Sequence, residues 1–326
     1  MQVSLLQGGL LLDIAAQHNI IDATGIFYIA HLLSRLMADQ PNLIPKADLV
    51  LGNCDRINII SLLPPDEPLP KEMSEFIQPY PQTVDRDTLA QFRWYFFHMS
   101  PEAIAAIHTE AISHPEDFVA SLTTVSVNDA LTAFFWQRLT RVRSRLSPSS
   151  PTSGQYSEPT TQLTRAADLR RTMKLSPAYM GHMVRTANLR LPVSTVATSS
   201  LSYLASALRN CVSEHTTPQA VRSYATLLAR TTDKSRILYA GGFNPLTDLS
   251  CSSMAHVMVP RFGKGLGVPE FVRRPAAGLL PSGMYVGPGR GGEGVDAMVC
   301  LKSSEIEGLM GDEAWSSKIE VVGGNC

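Results

Sequence analysis

One stretch of the chain combines residue types that could move a proton. Gln17-His18-Asn19-Ile20-Ile21-Asp22-Ala23-Thr24-Gly25 sits where an extended run gives way to a helical pattern. A histidine at such a junction can serve as a general base, because its ordinary pKa lies near neutrality and it can take up a proton and return it. The carboxylate of Asp22, four residues on, can hold the local turn or orient the imidazole. On a helix the same spacing could instead bind a metal ion, but that needs a third ligand. No nearby H-x-x-H or H-x-D pair supplies one, so no metal is expected. The other histidines (31, 98, 108, 114, 182, 215 and 256) read as scattered singles in core or surface positions.

The elements that must carry His18 follow from the apolar spacing. Gln2–Leu6 and Leu10–Gln17 read as two extended segments around Gly8-Gly9, with Val3 and Leu5 at period two. After Asp22 the period changes: Ile26, Phe27, Ile29, Ala30, Leu33, Leu36 and Met37 recur at three and four, which predicts an amphipathic helix with Thr24 as its cap. Residues 41–88 hold eight prolines and little periodicity, and read as a crossover linker. Phe92–Met99 reads as a strand, and Ser100-Pro101-Glu102 opens a helix. Ser126-Val127-Asn128-Asp129 opens another in the manner of a capping box, with Leu131, Phe134, Phe135 and Leu139 inward. Ser147–Thr161 is low-complexity and reads as a surface loop. Strand-like residues follow at Thr164–Met173, helices at Val193–His215 and Gln219–Thr232, Gly-rich strands within Ile237–Val299, and a last helix near Ser303. The mixture has no regular βαβ count, which predicts an α/β or α+β fold in two layers.

Composition narrows the function. The 326 residues are 44% hydrophobic and 17% charged, a globular balance, and the formal net charge is −1. That argues against nucleic acid as a partner. The five cysteines (54, 211, 251, 300 and 326) contain no C-x-x-C pair and fit free thiols in a reducing compartment, so a cytoplasmic location is expected. The uncharged stretch Leu191–Leu208 holds seven Ser or Thr and Pro192, and reads as a helix of a soluble protein with no membrane partner. Gly263-Lys264-Gly265-Leu266-Gly267 lacks dinucleotide spacing, and Gly287–Gly294 lacks the Lys of a phosphate loop and reads as a hairpin turn. Arg138, Arg141, Arg143 and Arg145 read as a solvated helix end, or else as an attraction for the phosphates of a ligand.

Beyond His18 and Asp22, three further segments carry a resemblance. Val127–Gln137 is close to N-D-A-L-x-A-F-x-W-Q; Ala167-Asp168-Leu169-Arg170-Arg171 with Tyr179-Met180-Gly181-His182 is similar to an Arg-containing strand followed by Y-x-G-N; Phe262-Gly263-Lys264-Gly265 looks like D-F-G-x-G. In that order the chain resembles the BAHD-type acyl-CoA-dependent acyltransferases, in their fungal branch. The resemblance implies a two-lobe fold like that of chloramphenicol acetyltransferase, with a channel between the lobes. It implies transfer of an acyl group, acetyl first, from acyl-CoA to an alcohol of a secondary metabolite by a monomer. Acyl-CoA is then a co-substrate and no cofactor is bound. His18 would be the general base, with Asp22 and Gly25 supporting its turn and Asp22 pointing away from the channel. Tyr179, Gly181, Ser250 and Ser252 would lie along the CoA or acyl path, and Phe262, Gly263 and Gly265 would form the glycine-rich motif.

Departures from the pattern set further expectations. Position 261 is Arg where the family has an Asp that pairs with an arginine resembling Arg170 or Arg171, so like charges would meet there. No Trp stands near Ser250–Met254, and the Asn of Y-x-G-N is His182. Only seventeen residues precede His18, so the first lobe is expected to be incomplete. The expected organisation is 1–45 as the remainder of the N-terminal lobe, 46–90 as the crossover linker and 91–326 as the C-terminal lobe, with part of 245–290 returning to the first. The alternative function is a truncated, inactive family member that at most binds CoA or a partner.

Overall fold

The apolar alternation at the N-terminus folds back on itself. In the computed structural model, which describes residues 1–37, 44–52, 54, 59–77, 85–146, 158–275 and 278–324, β1 (Gln2–Leu6) pairs antiparallel with β2 (Gly9–Asp13). Gly8 turns the hairpin with φ 82°, a conformation suited to glycine. β2 stops at Asp13, short of the expected Gln17, and an irregular turn leads into α1 (Ala23–Leu36). The cap of α1 is Asp22, two residues before the expected Thr24: its carboxylate accepts the Gly25 N–H at 3.0 Å. The Thr24 hydroxyl donates instead to Asp168 at 2.9 Å.

The proline-rich stretch is more ordered than its composition suggests. It contains α2 (Lys46–Gly52), a 3₁₀ turn (Lys71–Phe76) and α3 (Arg86–Leu89). Downstream run β3 (Phe92–Met99), α4 (Pro101–Ile112), α5 (Val127–Leu146), β4 (Thr160–Asp168), β5 (Val184–Pro192), α6 (Val193–Thr198), α7 (Leu201–His215) and α8 (Pro218–Arg230). They are followed by β6 (Leu249–Ser253), α9 (Gly263–Leu266), β7 (Gly283–Pro288), β8 (Val295–Lys302), α10 (Ser303–Met310), α11 (Glu313–Ser316) and β9 (Glu320–Gly324). Prolines leave carbonyls without neighbouring donors, and two arginines of α8 fill that need. Arg222 donates to the Ser61 and Leu62 carbonyls, and Arg230 to those of Pro64 and Glu67. The expected linker is thereby strapped to α8.

Seven strands form one mixed sheet in the order β5-β4-β6-β7-β8-β3-β9. β6 is parallel to β4 and to β7; every other pair is antiparallel. The fold is therefore mixed α/β, with helices on one face. Alternation along β3 sorts the faces: Tyr95, Phe97 and Met99 join the helix-side core, while Phe92, Trp94 and Phe96 cluster with Met298, Cys300 and Tyr285 on the other. α5 is the spine of the helix layer. The capping box is present, with the Asp129 carboxylate accepting from Ser126 N–H and hydroxyl and the Ser126 hydroxyl accepting the Asp129 N–H. Its burial is wider than the expected single stripe, because residues 129–140 are all enclosed.

The arginine run of α5 is a correction. Arg138 is buried, Arg141 donates to the Ala197 carbonyl, and Arg143 reaches Glu305, Ser282 and the Asp248 carbonyl; Arg145 alone of the four is exposed. These cations lock the helix to its neighbours. Residues 147–157 of the low-complexity stretch lie outside the described residues, and Thr160-Thr161 already belong to β4. The helical run 193–215 is broken at Ser199-Ser200, where Ser200 caps α7. Among the described residues no helix is long and apolar enough to cross a membrane. The stretch 245–290 gives β6 and β7 to the sheet, while its Met258 carbonyl lies 2.8 Å from His31 Nε2 on α1.

Trp315 closes the helix-side core, its ring centroid 4.7 Å from Phe135 and 5.4 Å from Phe97. Its indole N–H has no hydrogen-bond partner among the described residues. Trp315→Ala is expected to cost about 3–5 kcal/mol through the cavity it leaves. Trp315→Phe should cost less than half of that, since no polar contact is lost; urea unfolding of both variants checks the ranking.

Candidate functional site

The turn that carries His18 is built by the backbone. The N–H groups of Ile20 and Ile21 both donate to the Gln17 carbonyl, at 3.0 and 3.3 Å. This lifts His18 to an exposed apex and drops Asp22 inside, where it is 1% exposed. The Asp22 carboxylate is fully engaged. It takes a two-pronged pair of bonds from Arg170, 2.8 and 2.9 Å, and a third from the Met183 N–H at 2.8 Å, besides the helix cap. None of these bonds leads to His18.

Arg170 is the other half of the lock. It sits in the turn after β4, not in the strand itself. Its guanidinium also donates to Asp168 and to the carbonyls of Tyr179 and Gly181, at 2.8–2.9 Å. Burial works against its charge, but the bonds and charges of Asp22 and Asp168 outweigh burial and raise its pKa overall. The carboxylates that the Arg at position 261 does not provide thus come from Asp22 and Asp168, and Arg261 itself is exposed.

Close approach explains two glycines. A Cβ at Gly25 would stand 2.3 Å from the Met180 carbonyl oxygen, and one at Gly181 would stand 2.2 Å from the Tyr179 hydroxyl. Tyr179 is itself buried among Leu169, Met183 and Val221. Beside these residues opens a cavity of about 300 Å³ lined by Asn19, Ile20, Ile59, Ile60, Tyr179, His182 and Met183.

His182 is the residue that sequence reasoning passed over. Its N–H donates to the Ile20 carbonyl at 3.0 Å, and its ring lies edge-on to His18 with centroids 5.3 Å apart at 61°. The reading of it as an isolated histidine is corrected: it is half-buried beside the motif. Burial lowers its pKa, and the charges of His18 and Arg170 add to that, while Asp22 opposes. The one available signal was the replacement of Asn by His in Tyr-x-Gly-His.

His18, Asp22, Gly25, Tyr179, Gly181 and His182 therefore form one cluster. Ser250 and Ser252 sit instead on β6, opposite in face to the core residues Leu249 and Cys251. Ser252 is registered against Tyr285. Phe262 is buried, and its N–H donates to the Gly267 carbonyl to close a tight loop. Gly263 enters that loop with φ 68°, whereas the space around Gly265 is open. Among the described residues no group of three His, Cys, Asp or Glu is placed to hold a metal ion.

A family model described as the Transferase family matches residues 1–314. The chain belongs to this BAHD-type transferase family. O-acyltransferase pigD of Monascus ruber is 38% identical over 329 residues, covering 99% of this chain and 69% of that protein. Trichothecene 3-O-acetyltransferase TRI101 of Fusarium sporotrichioides is 30% identical over 326 residues, covering 99% and 68%. The crystal structure of that TRI101 with coenzyme A and T-2 superposes with a TM-score of 0.84 at 29% identity, over 99% of this chain and 70% of the other. The chain spans about two thirds of the length of the relatives it matches. The mixed sheet with its helix layer is thus the BAHD transferase fold that the motifs implied.

Two outcomes follow from this geometry. Gly25→Ala should lower stability by about 1–3 kcal/mol, although alanine is the better helix former by about 1 kcal/mol; thermal unfolding reads the difference. His182, with a folded pKa below the unfolded value of about 6.5, lets the unfolded chain bind more protons between the two values. Its contribution is therefore present above about pH 6.5 and is lost as pH falls from there toward the folded pKa. Thermal unfolding between about pH 8 and pH 5 should show a shallower acid loss in His182→Asn than in the parent.

Proposed function

We propose that the protein transfers an acyl group, acetyl first, from acyl-CoA to a hydroxyl of a secondary-metabolite alcohol, with His18 as general base. The observation that carries this reading is the division at the motif turn: His18 stands at the accessible apex while Asp22 beneath it is committed to Arg170. Family membership supports the reaction class, and the relatives bear the names of O-acyltransferases and O-acetyltransferases. A related acetyltransferase was crystallised with coenzyme A and, as second molecule, T-2 or deoxynivalenol.

In this mechanism the His18 imidazole takes the proton of the acceptor hydroxyl. The oxygen forms a bond to the thioester carbonyl carbon, and an oxyanion develops on the carbonyl oxygen. Collapse breaks the carbon–sulfur bond, and the imidazolium gives its proton to the departing thiolate. Ester and free CoA result, with no net proton change. Asp22 and Arg170 keep the turn in place and take no proton. Tyr179, which lines the cavity beside the turn, with Gly181 packed against it, and Ser250 and Ser252, on the face of β6 away from the core, are the proposed surfaces for the acyl-CoA arm. Phe262, Gly263 and Gly265 are assigned to shaping the nearby loop rather than to chemistry. The near-zero charge argues against nucleic acid as partner and the scattered thiols support a cytoplasmic setting; the family resemblance supports a monomer that handles small molecules, with no membrane partner.

His18→Ala should reduce acetyl transfer by at least about 10²–10⁴-fold, the usual contribution of a positioned base. Acetyl-CoA binding, followed by its stabilisation of the folded state, should survive. Turnover equal to the parent would remove His18 from the mechanism.

A further inference from the structure

We propose that His182 is the positioning residue of His18, the group that orients its ring and makes the two imidazoles a coupled pair. The inference rests on the reading of His18 as base. A catalytic histidine is commonly oriented by a second group, often a carboxylate. Here the carboxylate of the motif is unavailable, because Asp22 is occupied by Arg170, by the Gly25 N–H in capping α1, and by the Met183 N–H. Among the described residues, the ring found against His18 is that of His182, 5.3 Å away and edge-on.

The position of His182 is itself fixed. Its N–H holds the Ile20 carbonyl within the motif turn. Its neighbours are the carbonyls of Tyr179 and Gly181 anchored on Arg170 and the Met183 N–H anchored on Asp22. A ring held this way limits the conformations of an exposed His18 side chain at small entropic cost. The charged and titratable groups facing His182 are His18 and Asp22 from the motif turn and Arg170, with its partner Asp168, from the turn after β4. Half-burial and the cationic neighbours keep His182 neutral near pH 7. A neutral neighbour leaves His18 free to become an imidazolium during transfer. Protonation of His182 in acid places a like charge beside that imidazolium and opposes it.

The test compares His182→Ala, His182→Phe and His18→Ala by steady-state kinetics with acetyl-CoA, and follows the histidine ring signals by NMR against pH. His182→Ala should lower kcat by about ten- to a hundredfold, the range for a misplaced catalytic group. His182→Phe keeps an aromatic edge without a proton, so it should recover part of kcat. Its acid limb of log kcat/KM should fall with a slope of about one proton, against about two in the parent. In the parent the His18 and His182 ring protons should show a nuclear Overhauser contact, and in His182→Phe the His18 ring should keep one to the phenyl edge. An unchanged kcat and acid limb in His182→Ala, or no ring-to-ring contact in the parent, would overturn the proposal. Full activity in His18→Ala with that ring contact present in the parent would overturn the role of His18 as base while leaving the pairing intact.

Discussion

A single buried ion pair holds together segments 148 residues apart in the chain. Asp22 and Arg170 meet through two parallel bonds in a water-poor setting, and each satisfies further backbone groups. Burial of two charges is costly, and such a pair is sound only when its remaining donors and acceptors are also engaged. That condition is met. The Asp22 carboxylate caps a helix and holds the Met183 N–H, and the Arg170 guanidinium gathers Asp168 and two carbonyls. The histidine turn, the first turn of α1 and the Tyr179–Met183 segment are therefore parts of one assembly, and glycines at 25 and 181 permit its close approach.

This arrangement separates structural from chemical work within one short motif. The acid faces inward and fixes the backbone; the proposed base faces outward near an open cavity. A carboxylate turned toward His18 would have left Arg170 buried with less compensation, and the junction of the two segments would loosen. The orientation of the proposed base then passes to the residue that the same lock delivers to its side, which is His182. The sheet contributes at one remove: β4 ends at Asp168, the partner shared by Thr24 and Arg170, and thus transmits the position of the sheet to the turn.

Local signals were the readable ones. The strand Phe92–Met99, the Ser100 and Ser126 starts and the α1 periodicity follow from nearest neighbours, and the structure has them in place. The cap of α1 lay at Asp22 rather than Thr24 because both residue types cap well and the choice is made by Arg170, far away in sequence. The arginines of α5 read as a solvated helix end because Glu305, Ser282 and Ala197, which bind them, are equally remote in sequence. The proline-rich stretch hid short helices and a strap because its order comes from α8. His182 was visible only as an odd residue in a motif, since its distance to His18 is a tertiary fact. The inward direction of Asp22 was implied by family resemblance, not by spacing alone.

The motif turn depends on the coupling between Asp22 and Arg170. A double-mutant cycle with Asp22→Ala, Arg170→Ala and the combined variant, measured by denaturant unfolding, isolates that coupling. Each single change should cost about 3–5 kcal/mol, because each strands a buried charge. The double variant should cost far less than their sum, with an interaction energy above about 2 kcal/mol. Additivity within about 0.5 kcal/mol would mean that the two residues act independently and that the lock does not exist.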